Sequence, residues 1–293
     1  MLCCACAATS DAAPPTLAEE TEQLNSWHAE RLARLTSEDG WLTVIGLYWL
    51  REGTNSFGRA RDNAVALTGT ALAPHAGRFV VADRSVRFVA AAGSGVTVAG
   101  RPAGTLELEP ADEAHPVVLE SGSLRCFVIE RGGRFALRVR DLASRARREF
   151  AGLNYFPADP GWVVDARFES YQPPRHLTIV NVLGMEVDMV SPGALVFERD
   201  RREWRLDALV EDDAQQELFL MFADGTSGHE TYGAGRFLYV PWPKDGVVRV
   251  DFNKAYSPPC AFTRFATCPL PPAQNRFELP IRAGELRYAA SAH

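Results

Sequence analysis

The sequence predicts a mainly β protein, with an N-terminal helix, an antiparallel β region and a C-terminal antiparallel half that resembles a barrel. Three observations lead to this fold class. Helical spacing of apolar residues is confined to the start of the chain, and short strands separated by turn residues follow from about residue 64. Strands and helices do not alternate, which argues against a parallel nucleotide-binding sheet.

The segment 16–38 has the pattern of an amphipathic helix. Thr16 can cap its start, with Glu19 three residues later in the capping-box position. Apolar side chains recur at helical spacing on one face, while glutamate and arginine occupy the other. The predicted apolar face consists of Leu24, Trp27, Leu32 and Leu35.

The first β region extends from about residue 64 to about Arg145. Its clearest element is "SLRCFVIERGGRFALRVRD", in which two apolar runs flank Gly132-Gly133. A glycine pair between alternating apolar runs is typical of a tight β-hairpin. We therefore expect an antiparallel hairpin centred on these glycines.

The segment "GLNYFPADPGW" (152–162) is the expected boundary, because two prolines and two glycines interrupt the pattern there. Eight strand-like segments follow, which suggests a closed or nearly closed barrel, or a sandwich. The predicted organisation is a tail at 1–15, a helix with the first β region at 16–150 and a barrel-like region at 151–293. The alternative is that the last two form one continuous domain.

The first 15 residues contain Cys3, Cys4 and Cys6 but no positively charged start. They fit a disordered tail without packing against the core, or a clipped export or lipoprotein signal. The first interpretation favours a cytoplasmic protein, and the second would place it outside the cytoplasm or on a lipid anchor.

Charge and hydropathy limit the expected partners of the chain. A net charge of −6 and a pI near 5.6 argue against a nucleic-acid partner, because phosphate binding requires a basic surface. No later stretch approaches the roughly 18 apolar residues of a membrane-spanning helix. The cofactor stays unknown, no metal ligands are assigned, and the sequence leaves the oligomeric state open.

The segment "FADGTSGHETYGAGRFL" (222–238) is the first candidate site, because a long glycine-rich loop joins two strands there. Arg236 can bind a carboxylate of a ligand. Alternatively, it pairs internally with Asp224 or Glu230. Asp251 and Asn253 end the last strand two residues apart, and antiparallel pairing with the strand of Arg236 would bring these side chains together.

The second candidate segment is "DFNKAYSPPCAFTRFATCPLPP" (251–272), which has five prolines and two cysteines. Prolines fix the backbone without ladder hydrogen bonds, so we expect a stiff lid over the end of the barrel. We expect Cys260 and Cys268 to lie close together and buried. Packing residues, a disulfide, a metal site and a nucleophile remain alternatives for the two thiols.

Three functions are consistent with these segments, and the sequence does not establish whether the protein is an enzyme. The first is binding of a small polar or anionic molecule at the end of the C-terminal β region, by Thr226, Tyr232, Arg236, Asn253, Tyr256 and Asn275. The second is a hydrolase that uses Asp224, Glu230 or Asp251 as acid or base. The third is a purely structural polar lock, with Pro258, Pro259, Cys260 and Cys268 in structural roles.

These segments carry a family resemblance. "DGTSGHETYGAGRFL" and "DFNKAYSPPCAFTRFATCPLPPAQNRFELPIRAGE" resemble the bacterial and archaeal domain of unknown function 1684, and similarity extends over most of residues 24–287. The family has no established activity to carry over. The resemblance adds Thr231, Gly235, Pro269 and Glu285 to the motif positions. His229 stands where lysine is usual in the family, which counts against His229 as an essential base.

Overall fold

The computed structural model describes residues 16–109, 116–211 and 217–288. The tail predicted at 1–15 lies outside these residues. The described chain is mainly β, begins with a helix and ends in a nearly closed barrel-like sheet, which confirms the predicted fold class.

Helix α1 (Leu17–Thr36) begins as predicted, with a capping box between Thr16 and Glu19. Leu24 and Leu35 are buried, but Leu32 is 40% exposed, so its predicted place on the buried face is wrong. Arg31, rather than Leu32, is buried on this face of the helix. The reason is geometric, since residue 31 is seven positions after Leu24 and four before Leu35, on the same face of the helix.

Two sheets form the N-terminal part and share one hydrophobic core. The first has the strand order β1-β11-β10-β9-β6-β7, and the second has the order β3-β2-β4-β5-β8. The strands are β1 (Val44–Trp49), β2 (Gly53–Gly58), β3 (Val65–Ala66), β4 (Gly77–Ala82), β5 (Ser85–Ala90), β6 (Thr97–Val98), β7 (Arg101–Pro102), β8 (Thr105–Leu108), β9 (Leu119–Ser121), β10 (Leu124–Arg131) and β11 (Arg134–Asp141).

The predicted glycine hairpin is confirmed. Strands β10 and β11 pair antiparallel from Leu124–Asp141 to Arg131–Arg134. Gly132 and Gly133 form the turn with φ of +55° and +72°, a conformation that glycine adopts without the steric cost of a side chain. A short helix, α2 (Arg145–Arg148), follows β11.

The C-terminal sheet has the order β16-β15-β14-β13-β12-β17 and encloses a second core. Its strands are β12 (Val163–Val180), β13 (Glu186–Arg199), β14 (Arg202–Val210), β15 (Glu217–Phe222), β16 (Arg236–Pro241) and β17 (Val247–Asp251). Side chains alternate, so Leu218, Leu220 and Phe222 face this core while Phe219 and Met221 pack on the outer face of the sheet.

Eight strands were expected in this half, and the described part of it has six in one sheet. The first four predicted segments are two long strands, β12 and β13. The sequences around Pro173 and Pro192 resemble turns, but each lies where the register shifts within a continuous ladder. Prolines at irregularities of a strand interrupt the hydrogen bonds without ending the strand.

The expected pairing of the last two strands is also wrong. Strand β17 hydrogen-bonds to β12, and β16 hydrogen-bonds to β15, which leaves a seam between β16 and β17. Pro241 ends β16 and Pro243 lies between the two strands, so both remove backbone donors at the point where a ladder would start. Tyr256 fills the seam, since its backbone exchanges two hydrogen bonds of 2.9 Å with Phe237.

Candidate functional site

Arg236 and Asp224 form an ion pair that is sealed from solvent. Their side chains are both 0% exposed, with 3.3 Å between Arg236 Nη2 and Asp224 Oδ2. The guanidinium also donates to the carbonyl oxygens of Ile281 and Ala283 in the C-terminal segment. Burial lowers the pKa of Arg236, and the charge of Asp224 opposes this effect. Arg236 is therefore committed to internal partners.

The loop that follows β15 supplies the other partners of Asp224. The hydroxyls of Thr226 and Ser227 donate to its carboxylate, and so does the backbone N–H of Ile281, at 2.6 Å. Thr226 and Thr231 are fully buried and share a hydrogen bond of 2.9 Å. A carboxylate with this many donors and no solvent contact is typical of a structural role.

Gly235 allows the loop to return to the sheet immediately before Arg236. Its φ is +99°, and a Cβ atom at this position would lie 2.4 Å from the carbonyl oxygen of Phe222. A larger residue would therefore displace the start of β16. Only glycine brings the backbone close enough for Arg236 to enter the interior.

Two other residues of the loop have different environments. Glu230 is partly exposed, and its carboxylate accepts a hydrogen bond of 3.0 Å from Arg282. Tyr232 packs against the cluster of Leu35 and Phe262, and burial raises its pKa to about 12. The loop thus presents Glu230 to solvent while Tyr232 contributes to the core.

Asp251 and Asn253 form a second polar cluster. Asp251 caps the 3₁₀ turn Phe252–Lys254, accepting from the backbone and side-chain amide of Asn253 at 3.0 and 2.9 Å. Asn253 also exchanges two hydrogen bonds of 3.0 Å with the backbone of Asp159. Among the described residues, neither side chain has a hydrogen bond or ion pair with Arg236. Two clusters occur where the sequence predicted one, because β17 turns away from β16.

Asn275 is fully buried and joins two strands of the barrel. Its side-chain oxygen accepts from the backbone N–H of Asp207 at 2.7 Å, and its amide donates to the carbonyls of Asp207 and Met221 at 2.9 Å. Strands β14 and β15 have one paired position, Leu209–Phe219, so the amide substitutes for missing ladder bonds. Asn275 holds the proline-rich segment against the barrel wall.

The two cysteines lie close together, as expected, and both are free thiols. The backbone N–H of Cys260 lies 3.2 Å from the Cys268 sulfur. Cys268 is buried, whereas Cys260 is half-buried, so the expectation that both thiols are well buried fails for Cys260. Pro258 is buried, and Pro259 begins the 3₁₀ turn that contains Cys260.

Arg31 of α1 was missed as a functional or structural candidate. Its Nε atom lies 2.7 Å from the Glu285 carboxylate, and its Nη2 atom donates to the Ser257 carbonyl at 2.9 Å. The guanidinium also stacks over the Tyr256 ring, 4.6 Å from its centroid. Burial alone would lower the pKa of Arg31, but Glu285 outweighs it and the pKa is raised. Helical spacing from Leu24 was the signal that could have identified this residue.

His28 stacks on Tyr155 at 3.8 Å between ring centroids, at the same junction. Burial lowers the pKa of His28, while the charges of Glu285 and Asp251 oppose the shift. The folded state thus favours neutral His28. The contribution of neutral His28 to stability is fully present above the unfolded pKa of about 6.5, and it is lost as pH falls through the lower pKa of the folded state.

We therefore expect wild-type protein to lose more unfolding free energy between pH 7 and pH 5 than His28→Gln, whose side chain does not titrate. Urea unfolding of both proteins at the two pH values measures this difference. Equal losses in the two proteins would show that His28 does not contribute to the pH dependence.

A cleft of about 830 Å³ lies between α1 and the outer face of the barrel at the β16–β17 seam. Its aromatic lining consists of Trp27, Trp41, Phe219, Phe237, Tyr239 and Tyr256. The Tyr239 ring stacks on Phe219 at 5.0 Å, and its hydroxyl donates to Glu211. Burial raises the pKa of Tyr256, so its phenol stays protonated at neutral pH. Asp251, Tyr256 and Pro259 are the predicted site residues that line this cleft.

Within the described ranges, no group of three or more histidine, cysteine or acidic side chains is arranged to hold a metal ion. The helices of the same ranges include none with the length and apolar character needed to span a bilayer.

A family model described as "Protein of unknown function (DUF1684)" matches residues 148–286. The solution NMR structure of an uncharacterized protein from gene locus rrnAC0354 of Haloarcula marismortui is 33% identical to this chain, covering 48% of this chain and 78% of that one, with a TM-score of 0.41. The chain belongs to the DUF1684 family. No curated protein matches it.

Membership of the DUF1684 family confirms the resemblance, over a shorter range than the expected 24–287. All predicted site residues fall within 148–286. Helix α1, with Arg31 and Trp27, lies outside the matched range. The buried ion pair is therefore built from matched residues, whereas one wall of the cleft is not.

Proposed function

We propose that the protein binds a small polar molecule in the cleft between α1 and the barrel. The cleft carries this proposal, since about 830 Å³ is within the size range of ligand sites and several aromatic rings line it. In many β proteins a covering helix packs tightly on the sheet. Here the helix leaves the rings of Tyr239 and Tyr256 facing an open space.

The chemistry of the lining suggests a ligand with a flat apolar part and hydrogen-bonding groups. Aromatic faces favour stacking with a planar group. The Tyr239 hydroxyl and the Glu211 carboxylate, which are already hydrogen-bonded to each other, offer polar contacts at the same wall. Asp251 and Lys254, 3.6 Å apart, add a charged pair of opposite signs.

Two positive charges of the cleft already have internal partners. Arg31 is paired with Glu285, and Arg249 is paired with Glu20. An anion bound at either arginine would have to displace its carboxylate, which would leave that carboxylate without a positive partner. We therefore propose the aromatic wall as the ligand site rather than Arg236, which is sealed from solvent and whose Nη1 and Nη2 atoms already donate to groups inside the protein.

Native mass spectrometry of the purified protein tests the proposal. We expect a bound small molecule whose occupancy falls in Trp27→Ala, because an aromatic contact is worth about 1 kcal/mol, or roughly fivefold in affinity. Trp242→Ala is the matched control, since Trp242 is 43% exposed and does not line the cleft. Absence of any bound mass, or equal loss in both variants, would contradict the proposal.

A further inference from the structure

We propose that Cys260 and Cys268 are a redox-active pair, in which a hydroperoxide oxidises Cys260 and Cys268 then closes a disulfide with it. This site adjoins the aromatic cleft, because Trp41, Phe237 and Pro259 line both cavities. The inference does not depend on the ligand proposed there.

The Cys268 sulfur lies against the backbone of Cys260. The Cys260 backbone N–H donates to this sulfur at 3.2 Å, so the two residues are in direct contact. Prolines hold both ends of the intervening segment, with Pro259 before Cys260 and Pro269 after Cys268. Disulfide closure thus requires little displacement of the backbone, which is the main geometric requirement for such a bond.

The two thiols have unequal environments. Cys268 is 5% exposed, and burial raises its pKa strongly. Cys260 is half-buried; the hydrogen bond from Cys268 lowers its pKa, and the charge of Arg138 acts in the same direction. The more accessible thiol is thus the one whose thiolate is stabilised, as in redox-sensitive pairs with an attacking and a resolving cysteine.

A second cavity reaches the resolving cysteine of the pair. It has a volume of about 480 Å³, and its lining includes Pro259, Thr267, Cys268 and Trp41, whereas Cys260 is not part of it. A hydroperoxide reaches Cys260 instead through the part of this residue that is exposed to solvent. Cys126 contrasts with the pair, since it is 3% exposed in the N-terminal core and burial raises its pKa to about 12.

The proposed reaction balances in two steps. The Cys260 thiolate attacks the terminal oxygen of the hydroperoxide, the O–O bond breaks, and the other oxygen leaves as an alcohol or water after taking a proton. Cys260 is then a sulfenic acid. The Cys268 sulfur attacks the Cys260 sulfur, the S–O bond breaks, and water leaves with the proton of Cys268. A dithiol reductant restores both thiols.

Peptide mapping by mass spectrometry after treatment with hydrogen peroxide tests the proposal. The experiment uses the full chain with Cys3, Cys4 and Cys6 replaced by serine, so that the N-terminal thiols cannot react. We expect a Cys260–Cys268 disulfide that dithiothreitol reverses. Cys268→Ser should accumulate a dimedone-reactive sulfenic acid at Cys260, whereas Cys260→Ser should leave Cys268 reduced.

Cys126 is the internal control and should oxidise at least about tenfold more slowly than Cys260, because one unit of pKa changes the thiolate fraction about tenfold. Circular dichroism checks that each variant folds, and Cys260→Ala replaces Cys260→Ser if the serine variant does not. Oxidation of Cys268 in the absence of Cys260, or a Cys260 that reacts no faster than Cys126, would overturn the proposal. So would oxidation of the parent protein without a disulfide.

Discussion

Arg236→Ala is expected to destabilise the protein by about 3–5 kcal/mol, because it leaves the Asp224 carboxylate buried without its positive partner. A loss of this size is a large fraction of the roughly 5–15 kcal/mol that stabilises a typical domain. The Ile281 and Ala283 carbonyls also lose a donor in the sealed interior. Urea unfolding measures the effect as a lower midpoint with an unchanged slope.

An exposed ion pair between the same loop and the C-terminal segment provides the control for this prediction. Arg282 pairs with Glu230 at 3.0 Å, but their side chains are 61% and 39% exposed, so Arg282→Ala should cost about 0–1 kcal/mol. Adding Asp224→Asn to Arg236→Ala should restore part of the stability, since a neutral amide is less costly to bury than an unpaired carboxylate. Similar losses in Arg236→Ala and Arg282→Ala would show that the buried pair is not a lock.

Local sequence patterns predicted the elements whose structure depends on neighbouring residues. The capping box at Thr16 and the glycine turn at Gly132-Gly133 involve contacts within a few positions of the chain. The internal pairing of Arg236 with Asp224 was one of the alternatives, because both residues belong to one loop. Short-range geometry is sufficient for such predictions.

Contacts between distant segments were not predicted. Residues 31 and 285 are 254 positions apart, and Arg31 on a helix resembles an ordinary solvated charge. The aromatic rings of the cleft come from α1, the turn after α1, β15, β16 and the segment after β17, so no single stretch displays them together. Only the order of strands in the sheet determines which of these residues meet.

The prolines led to a wrong prediction within β12 and β13 and to a correct one after β17. The predicted strand-like segments were divided near Pro173 and Pro192, yet hydrogen bonds to neighbouring strands continue on both sides of each proline. After β17 they indicated a segment that is ordered without a ladder, and the structure has short 3₁₀ turns at Pro259–Ala261 and Ala273–Asn275. A proline removes one donor, and the surrounding strands decide whether pairing resumes.

The buried ion pair fits a structural role, whereas the cleft is the site of the proposed binding. Asp224 and Arg236 are sealed from solvent and bind one another and neighbouring groups of the protein, which favours the structural-lock alternative for this pair. The cleft depends on α1, which contacts the barrel through Arg31, Glu285 and the backbone of Ser257. Docking of α1 therefore controls whether the cleft exists at all.

Arg31→Met is accordingly expected to destabilise the protein by about 3–5 kcal/mol and to release α1 from the barrel. Methionine keeps much of the apolar stem but removes the charge, so Glu285, whose side chain is 1% exposed, stays buried with the Ser257 N–H as its remaining donor. The contact over the Tyr256 ring is lost as well. Urea unfolding gives the free energy, and hydrogen exchange shows whether α1 loses protection.

Arg34→Met is the matched control, because Arg34 lies on the same helix but is exposed. Its replacement should change stability by no more than about 0.5 kcal/mol. Glu285→Gln in the Arg31→Met background should recover stability, since it removes the unpaired charge and leaves an amide that still accepts from Ser257. If Arg31→Met unfolds at the same urea concentration as Arg34→Met, with α1 still protected, then the Arg31–Glu285 pair does not hold the helix over the cleft.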